Sequence, residues 1–278
     1  MKPYLICLDL DGTLLNDEKT ISPYTKAVLQ RLRSEGHQLM IATGRPFRAC
    51  KQYYQALNMT TPVVNFNGAY VHHPQDPSFE TMHETLDTGI ATSIIESLKD
   101  FGVSNIIAEI KDHVYIDNYD QRLFDGFSMG NPKIEVGNLL TNITQAPTSI
   151  LVEAEESIMV EIKRMLTQFY AENIEHRRWG SPFPVIEIVN KGINKARGIE
   201  YVKDYLNIDR NQIIAFGDED NDIDMIKYAR HGIVMDNGLD SLKEMGDHVT
   251  YNNNEDGIGR YLNDFFDLNM SYEEPKYS

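Results

Sequence analysis

The sequence predicts a doubly wound α/β core with a parallel sheet, interrupted by an inserted α+β block. Three observations predict it. Short apolar runs alternate with amphipathic helical stretches up to about residue 81, and again from residue 188 to the end. Between residues 82 and 187 the order changes to strand pairs around two helices, as in an antiparallel α+β block. The run Leu5-Ile-Cys-Leu-Asp-Leu-Asp-Gly-Thr-Leu-Leu15 starts as a buried strand and breaks into charge at its C-terminal end, where open parallel sheets bind ligands. The expected division is core, 1–81; insertion or cap, 82–187; core resumed, 188–278.

The first block follows from punctuation. Asn16-Asp-Glu-Lys-Thr20 is a polar loop. Ser22-Pro23 opens a helix, Ser22 as N-cap and Pro23 in the first turn; Ala27, Val28 and Leu32 form its apolar face and Gly36 ends it. Leu39-Met-Ile-Ala42 is a second strand, running into Thr43-Gly44-Arg45-Pro46. Pro46 opens a helix whose apolar face holds Phe47, Cys50, Tyr54 and Leu57. Pro62-Val-Val-Asn-Phe66 is a third strand, and Asn67-Gly68 is a hairpin turn into Ala69-Tyr-Val71. Links this short predict right-handed crossovers and parallel order.

The insertion reads as a helix over 90–101, a hairpin of 105–110 and 113–116 around Lys111-Asp112, an unpatterned stretch from Tyr119 to Asn142, a strand at 147–152, a helix over 155–170, and strands at 174–179 and 184–189. Its pocket candidates are His113, Tyr115, Asp117, Arg177, Arg178 and Trp179, each more simply read as strand-face packing or a solvated charge. The last block holds a helix that follows Lys191-Gly-Ile-Asn-Lys195 and runs to about Leu206, strands at 212–216 and 232–235, a final helix after Glu255-Asp-Gly-Ile258, and a polar tail from Asn269.

Composition narrows the function classes. The 278 residues carry 42 acids against 26 bases, a formal charge of -16. No basic tract offsets it, which argues against nucleic acid and anionic membranes as partners and requires a local positive site for any anionic substrate. The two cysteines, Cys7 and Cys50, fit buried free thiols in a reducing cytoplasm. Asp9 and Asp11 interrupt the N-terminal apolar run, so it is not read as a signal peptide. No stretch reaches the roughly 18 apolar residues of a membrane span. Oligomeric state is not legible.

Four stretches carry chemistry. Strand alternation, if pairing persists to Asp11, puts Asp9 and Asp11 on one side of the strand end. Adjacent carboxylates repel, so one protonates more readily unless a cation intervenes, which suits a nucleophile and metal ligand beside an acid/base. The plain alternative is an Asp-Gly turn. Thr43, with the N–H groups around Gly44, suits a phosphate oxygen, and Arg45 a phosphate or another substrate anion; the alternatives are a helix-capping Thr and a solvated Arg. A lysine near the start of the helix that follows, Lys191 or Lys195, suits neutralisation of phosphate and a nucleophile carboxylate, or is a surface lysine. Gly217-Asp218-Glu-Asp-Asn221-Asp222 crowds acids and an amide beyond a strand end, as a hard cation requires; an acidic first helical turn is the alternative.

Asp9-Leu-Asp-Gly-Thr13, Ala42-Thr-Gly-Arg45, Lys191-Gly-Ile-Asn-Lys195 and Gly217-Asp-Glu-Asp-Asn-Asp222 resemble, in order, the four motifs of the haloacid-dehalogenase-like phosphatases, in the Cof-type branch with the larger cap. Asn67-Gly68-Ala69 also recurs in that family. The resemblance implies a Mg-dependent phosphatase of small phosphorylated metabolites, sugar phosphates foremost, beneath a mobile cap. It implies Asp9 as nucleophile, Asp11 as acid/base, and Thr43 and Lys195 balancing phosphoryl charge. Substrate contacts would include Gly44, Arg45 and Asn221. Mg would lie among the Asp9 carboxylate, the Asp11 backbone carbonyl and Asp218, with Asn221 and Asp222 close by. Ala196 and Asp236-Asn237-Gly238 depart from the family pattern, which puts the latter loop's contribution in question. A phosphomutase on the same nucleophile, or a non-catalytic regulator that binds a phosphometabolite, are the alternatives.

Overall fold

The computed structural model describes residues 2–179 and 185–272. Pro184, expected to open the last strand of the insertion, the side chain of Trp179, and the tail beyond residue 272 lie outside the described residues. The described chain forms two compact units: Met1–Arg45, Cys50–Thr81 and Asn194–Ser278 in the first, Pro46–Ala49 and Met82–Ile193 in the second.

The first unit begins with β1 (Leu5–Leu8), α1 (Pro23–Ser34), β2 (Gln38–Ile41), α2 (Phe47–Ala56, whose residues up to Ala49 count with the second unit), β3 (Val63–Asn65) and β4 (Tyr70–His72). The second contains β5 (Met82–His83), α3 (Thr88–Asp100), β6 (Asn105–Ile110), β7 (His113–Ile116), α4 (Gln121–Phe127), β8 (Ile134–Val136), α5 (Leu139–Asn142), β9 (Ser149–Glu153), α6 (Glu156–Tyr170), β10 (Ile174–Trp179) and β11 (Val185–Asn190). The first unit then resumes with α7 (Lys195–Leu206), β12 (Ile213–Gly217), α8 (Ile223–Tyr228), β13 (His231–Met235), α9 (Asp240–Lys243), β14 (His248–Thr250) and α10 (Gly257–Phe265).

The core sheet is ordered β14-β13-β12-β1-β2, with every pair parallel. Its interior strand β1, between β12 and β2, is fully buried at every residue, which is why it reads as an unbroken apolar run rather than an alternation. Each fully buried Leu or Ile there contributes on the order of 1.5–3 kcal/mol. The chain leaves β1 toward β2 on one side and returns as β12 on the other. The C-terminal ends of β1 and β12 thus flank the switch point, and the sheet brings Asp9 and Asp218 together from opposite ends of the sequence. α1 starts where expected: the Ser22 side chain accepts from the Thr25 N–H, and Val28, Leu29 and Leu32 are buried.

One expectation is corrected. The third strand does not extend the parallel sheet. β3 touches it only at an isolated Ala42–Val64 bridge and pairs instead with β4, antiparallel. The strand is three residues long, and Pro62 before it has no N–H to extend a ladder. The turn after it is longer than a two-residue hairpin: the four residues 66–69 join the paired Asn65 and Tyr70, the first three as a turn of 3-10 helix. Phe66, Asn67 and Gly68 all take positive φ, and a Cβ on Gly68 (φ +106°) would strike the backbone of Asn194. That approach sets the turn against the start of α7, whose N-cap is Asn194.

The sheet of the second unit is ordered β10-β11-β9-β6-β7-β8, antiparallel except for β7 with β8. β11 belongs wholly to it, and this unit extends past the expected limit at 187 to Ile193. One face carries Ile106, Ala108, Ile150, Val152, Ile186 and Ile188 against Ile94 and Leu98 of α3 and Ile162 and Leu166 of α6. Leu123 and Phe127 of α4 cover part of the other face, over Ile107, Val114, Ile116, Leu151 and Val185.

Candidate active site

β1 ends at Leu8, but the ladder gives one more bond: the Asp9 N–H donates to the Phe216 carbonyl at 3.2 Å. Pairing then stops, so Asp9 and Asp11 do not share a strand face. Asp9 is 6% exposed, whereas the Asp11 side chain is 45% exposed. Between them the chain turns back on itself, the Thr13 N–H donating to Leu10 and the Leu14 N–H to Asp9. Gly12 holds φ +73°, and a Cβ there would collide with the Asp218 carboxylate, so this position requires glycine twice over.

Lys195 is the buried cation of the site, with no exposed surface. As the first residue of α7 it sends Nζ to Asp9 Oδ1 and to Asp222 Oδ1, each at 2.6 Å. Burial disfavours its charge, but Asp222 and then Asp9 outweigh burial and raise its pKa well above the ordinary lysine range. The second oxygen of Asp222 accepts the N–H groups of Asp218 and Glu219 at 2.9 and 3.1 Å. Asp222 therefore fixes both the lysine and the loop that carries Asp218. Asp218 Oδ1 accepts from the Thr13 hydroxyl at 2.6 Å.

Burial raises the pKa of Asp9 and of Asp218, and neighbouring carboxylates add to the effect against the pull of Lys195. Asp9, Asp218 and Asp222 each bring a ligand oxygen within 4.8 Å of the others. Three buried carboxylates against one lysine leave two negative charges uncompensated. A divalent cation with oxygen ligands fits that donor set and that excess charge.

Asp11 lies in a different field. Burial alone would raise its pKa, but Arg45 and Lys19 prevail and lower it to about 2. Arg45 grips it with two nitrogens, Nε to Oδ2 and Nη2 to Oδ1, both at 2.6 Å; Lys19 Nζ reaches Oδ1 at 2.9 Å. Lys19 is presented by the loop after β1, in a left-handed conformation (φ +57°), with its carbonyl taking the Tyr53 hydroxyl at 2.9 Å.

At the end of β2, Thr43 is buried and its hydroxyl accepts the Arg45 N–H at 3.2 Å. Gly44 lies against the side chain of Asn67, whose Oδ1 accepts from Asn221 Nδ2 at 3.0 Å. Asp9, Asp11, Thr43, Gly44, Arg45, Lys195, Asp218, Asn221 and Asp222 all belong to the first unit. The structure adds Thr13, Lys19, Asn67 and Asn237 to them. Thr13 and Asn67 stood inside quoted motifs. Asn237, in the loop that departs from the family pattern, donates to the Gly12 carbonyl at 2.8 Å and so supports the turn after Asp9. Lys19 carried no sequence signal.

The polar candidates of the second unit do not converge. The His113 and Tyr115 rings meet at a tilt of 33° with centroids 4.2 Å apart, the Tyr115 hydroxyl 2.9 Å from His113 Nδ1, on the helix-covered face. Asp117 accepts the Leu139 N–H at 3.1 Å and pairs with Lys99. Arg178 is held by Glu156 at 2.7 and 2.6 Å. Among the candidates whose side chains are described, Arg177 lies on the other face, opposite Glu187.

A buried carboxylate held by a lysine at the end of an interior parallel strand, beside a carboxylate cluster suited to a dication, is an arrangement that suits phosphoryl transfer. The profile of the haloacid dehalogenase-like hydrolases matches residues 6–262, and the chain belongs to that family. It is 45% identical to the 5-amino-6-(5-phospho-D-ribitylamino)uracil phosphatase YitU of Bacillus subtilis, over 96% of this chain and 99% of that one. It is 28% identical to the pyridoxal phosphate phosphatase YbhA of Escherichia coli, over 94% and 98%. A haloacid dehalogenase-like hydrolase from Bacteroides thetaiotaomicron superposes with a TM-score of 0.84 at 26% identity, covering 95% of this chain and all of that one. The protein is thus a phosphatase, a hydrolase of phosphoric monoesters, of the Cof-type branch. No helix among the described residues is long and apolar enough to cross a membrane.

Proposed function

We propose that the protein is a Mg-dependent phosphatase of small, hydroxyl-rich metabolites, sugar or polyol monophosphates, acting through an aspartyl-phosphate on Asp9. The observation that carries the reading is Lys195: a fully buried lysine bonded to Asp9 and Asp222 has no structural reason to displace an apolar side chain, but it suits a site that must accept a dianion. The relative at 45% identity acts on a phosphorylated ribityl compound, which supports an open-chain polyol leaving group.

In this reading Asp9 attacks phosphorus as the ester P–O bond breaks, and Asp11 gives its proton to the departing oxygen. Water then attacks the aspartyl-phosphate and yields its proton to Asp11; inorganic phosphate leaves and Asp9 is restored. The Asp9 and Asp218 carboxylates and the Asp11 carbonyl would hold Mg, with Asp222 and Asn221 ordering the loop around it. When bound, that ion supplies positive charge against the phosphoryl oxygens and the nucleophile. Thr43, the Gly44 N–H and Lys195 orient the same oxygens. The ion pairs that keep Asp11 ionised must loosen before it can donate, and an incoming phosphate competes for Arg45 and Lys19.

The test is phosphate release across a panel of sugar, polyol and vitamin monophosphates, with Mg and after EDTA. Mg-dependent turnover favouring hydroxyl-rich monophosphates is expected. No turnover on any member, or full turnover without metal, contradicts the reading.

A further inference from the structure

The turn between β3 and β4 touches three segments of the site, and the chemistry above leaves its residues without a task. The Asn67 N–H donates to the Thr43 carbonyl at 3.0 Å. Gly68 lies against the backbone of Asn194, the cap in front of Lys195. The Asn67 side chain lies beside Gly44, where an added Cβ would meet its Nδ2 at 3.1 Å, and its Oδ1 accepts from Asn221 Nδ2 at 3.0 Å. Groups after β2, before α7 and after β12 thus all meet one turn of the first unit. β1 stands between β2 and β12, so the loops that Asn67 links leave strands roughly 9–10 Å apart.

Chain reversal alone does not explain this turn. A two-residue loop would close β3 onto β4 with fewer constrained residues. Here Phe66, Asn67 and Gly68 stand at φ +48°, +54° and +106°, three left-handed conformations in a row. Asn is one of the few residues with a side chain that visit this region readily. Its amide also reaches Asn221, 154 positions away, from a site only 3% exposed. The Asn221 amide has two N–H groups and one carbonyl oxygen. With one N–H held by Asn67, that amide does not turn freely, and its other N–H and its oxygen keep fixed directions before any ligand arrives.

We propose that Asn67 is a positioning residue for the phosphoryl group. Its side chain aims the Asn221 amide at one phosphoryl oxygen, and its N–H holds the Thr43–Gly44 loop at a set distance from that amide. This rests on the phosphatase reading, in which Thr43, Gly44 and Asn221 meet phosphate. Asn67 itself touches no reacting atom; it acts through Asn221. Donors fixed in advance bind an anion without the entropy cost of ordering them on arrival. The Gly68 approach to Asn194 holds the turn still, so that the same segment also braces the start of the helix that carries Lys195.

The test compares wild type, Asn67→Gly, Asn221→Ala and the double variant, each with Mg. Glycine keeps the left-handed backbone and removes only the amide. The readouts are the Ki of inorganic phosphate against p-nitrophenyl phosphate hydrolysis, and the melting temperature. Asn67→Gly is expected to raise Ki about tenfold, as the loss of one directed hydrogen bond would. The double variant is expected to match Asn221→Ala alone, because one residue acts through the other. An unchanged Ki in folded Asn67→Gly, with or without a lower melting temperature, overturns the proposal, as do losses that multiply in the double variant. If Asn67→Gly does not fold, NMR of the phosphate-free wild type decides. Slow solvent exchange of the Asn221 side-chain N–H supports the proposal, and rapid exchange overturns it. If phosphate does not inhibit the wild type and no phosphate is released, the phosphatase reading fails first and this proposal with it.

Discussion

Asp9 and Asp11, two residues apart, occupy opposite electrostatic regimes. Asp9 is buried with Lys195 and other carboxylates, which pushes its pKa up, while Arg45 and Lys19 hold Asp11 down at about 2. Asp11→Asn removes proton donation and leaves the backbone carbonyl in place. Mg affinity is expected to stay nearly intact, while phosphoryl transfer from a sugar phosphate falls by about a hundred- to ten-thousand-fold. With p-nitrophenyl phosphate, whose leaving group needs no proton, the first step falls far less and phospho-enzyme accumulates. Rapid-quench kinetics on both substrates read the difference; equal losses without an intermediate would make Asp11 a positioning group instead. At this scale the sequence was informative wherever charge interrupted an apolar run, as at Asp9 and Asp218. It was silent on Lys19, because a lysine in a polar loop looks the same whether it faces solvent or a carboxylate. Asn67 was read as a turn residue because Asn-Gly is first of all a turn; nothing local showed that its side chain meets Asn221.

At the scale of elements, α7 places Lys195. The Asn194 side chain caps it by accepting the Arg197 N–H, and Gly198 lets it sit against β3, where a Cβ would come within 2.6 Å of Val64 Cγ1. Gly198→Ala gains roughly 1 kcal/mol of helix propensity but overpacks this contact, which costs roughly 1–3 kcal/mol. The substitution is therefore expected to be neutral to destabilising alone, and stabilising in a Val64→Ala background. A urea-denaturation double-mutant cycle measures that coupling. The same effect of Gly198→Ala in both backgrounds would mean that helix and strand do not meet as described. Long periodic helices such as α1 and α7 were legible because their apolar positions repeat, and β1 because its apolar run is unbroken up to Asp9. α4, α9 and β14 were not: α4 buries only Leu123 and Phe127, α9 only Leu242, and β14 has His248 and Val249 exposed, too little periodicity to stand out. β3 was misassigned to the parallel sheet because a short apolar run does not reveal its partner.

At the scale of the molecule, a formal charge of -16 is combined with a buried cluster of like charges. Asp9 and Asp218 have raised pKa values in the fold, so the folded chain keeps protons there that the unfolded chain, with carboxylates near pH 4, gives up. Their contribution to stability is fully present below about pH 4 and is lost as pH rises through neutrality. EDTA-treated protein is therefore expected to melt at a lower temperature at about pH 8 than at about pH 5.5, and Mg is expected to restore the loss at pH 8. Asp218→Asn should flatten the dependence. Identical melting temperatures at the two pH values without metal would show that the cluster carries no such strain.

That Asp9 itself takes the phosphoryl group is tested most directly by acid-quenching the enzyme during turnover of a phosphate-labelled substrate and mapping the label by peptide mass spectrometry. Label on the peptide containing Asp9, fragmenting to Asp9 and absent from Asp9→Asn, is the predicted result. Label on any other residue, or undiminished turnover by Asp9→Asn, would contradict the account.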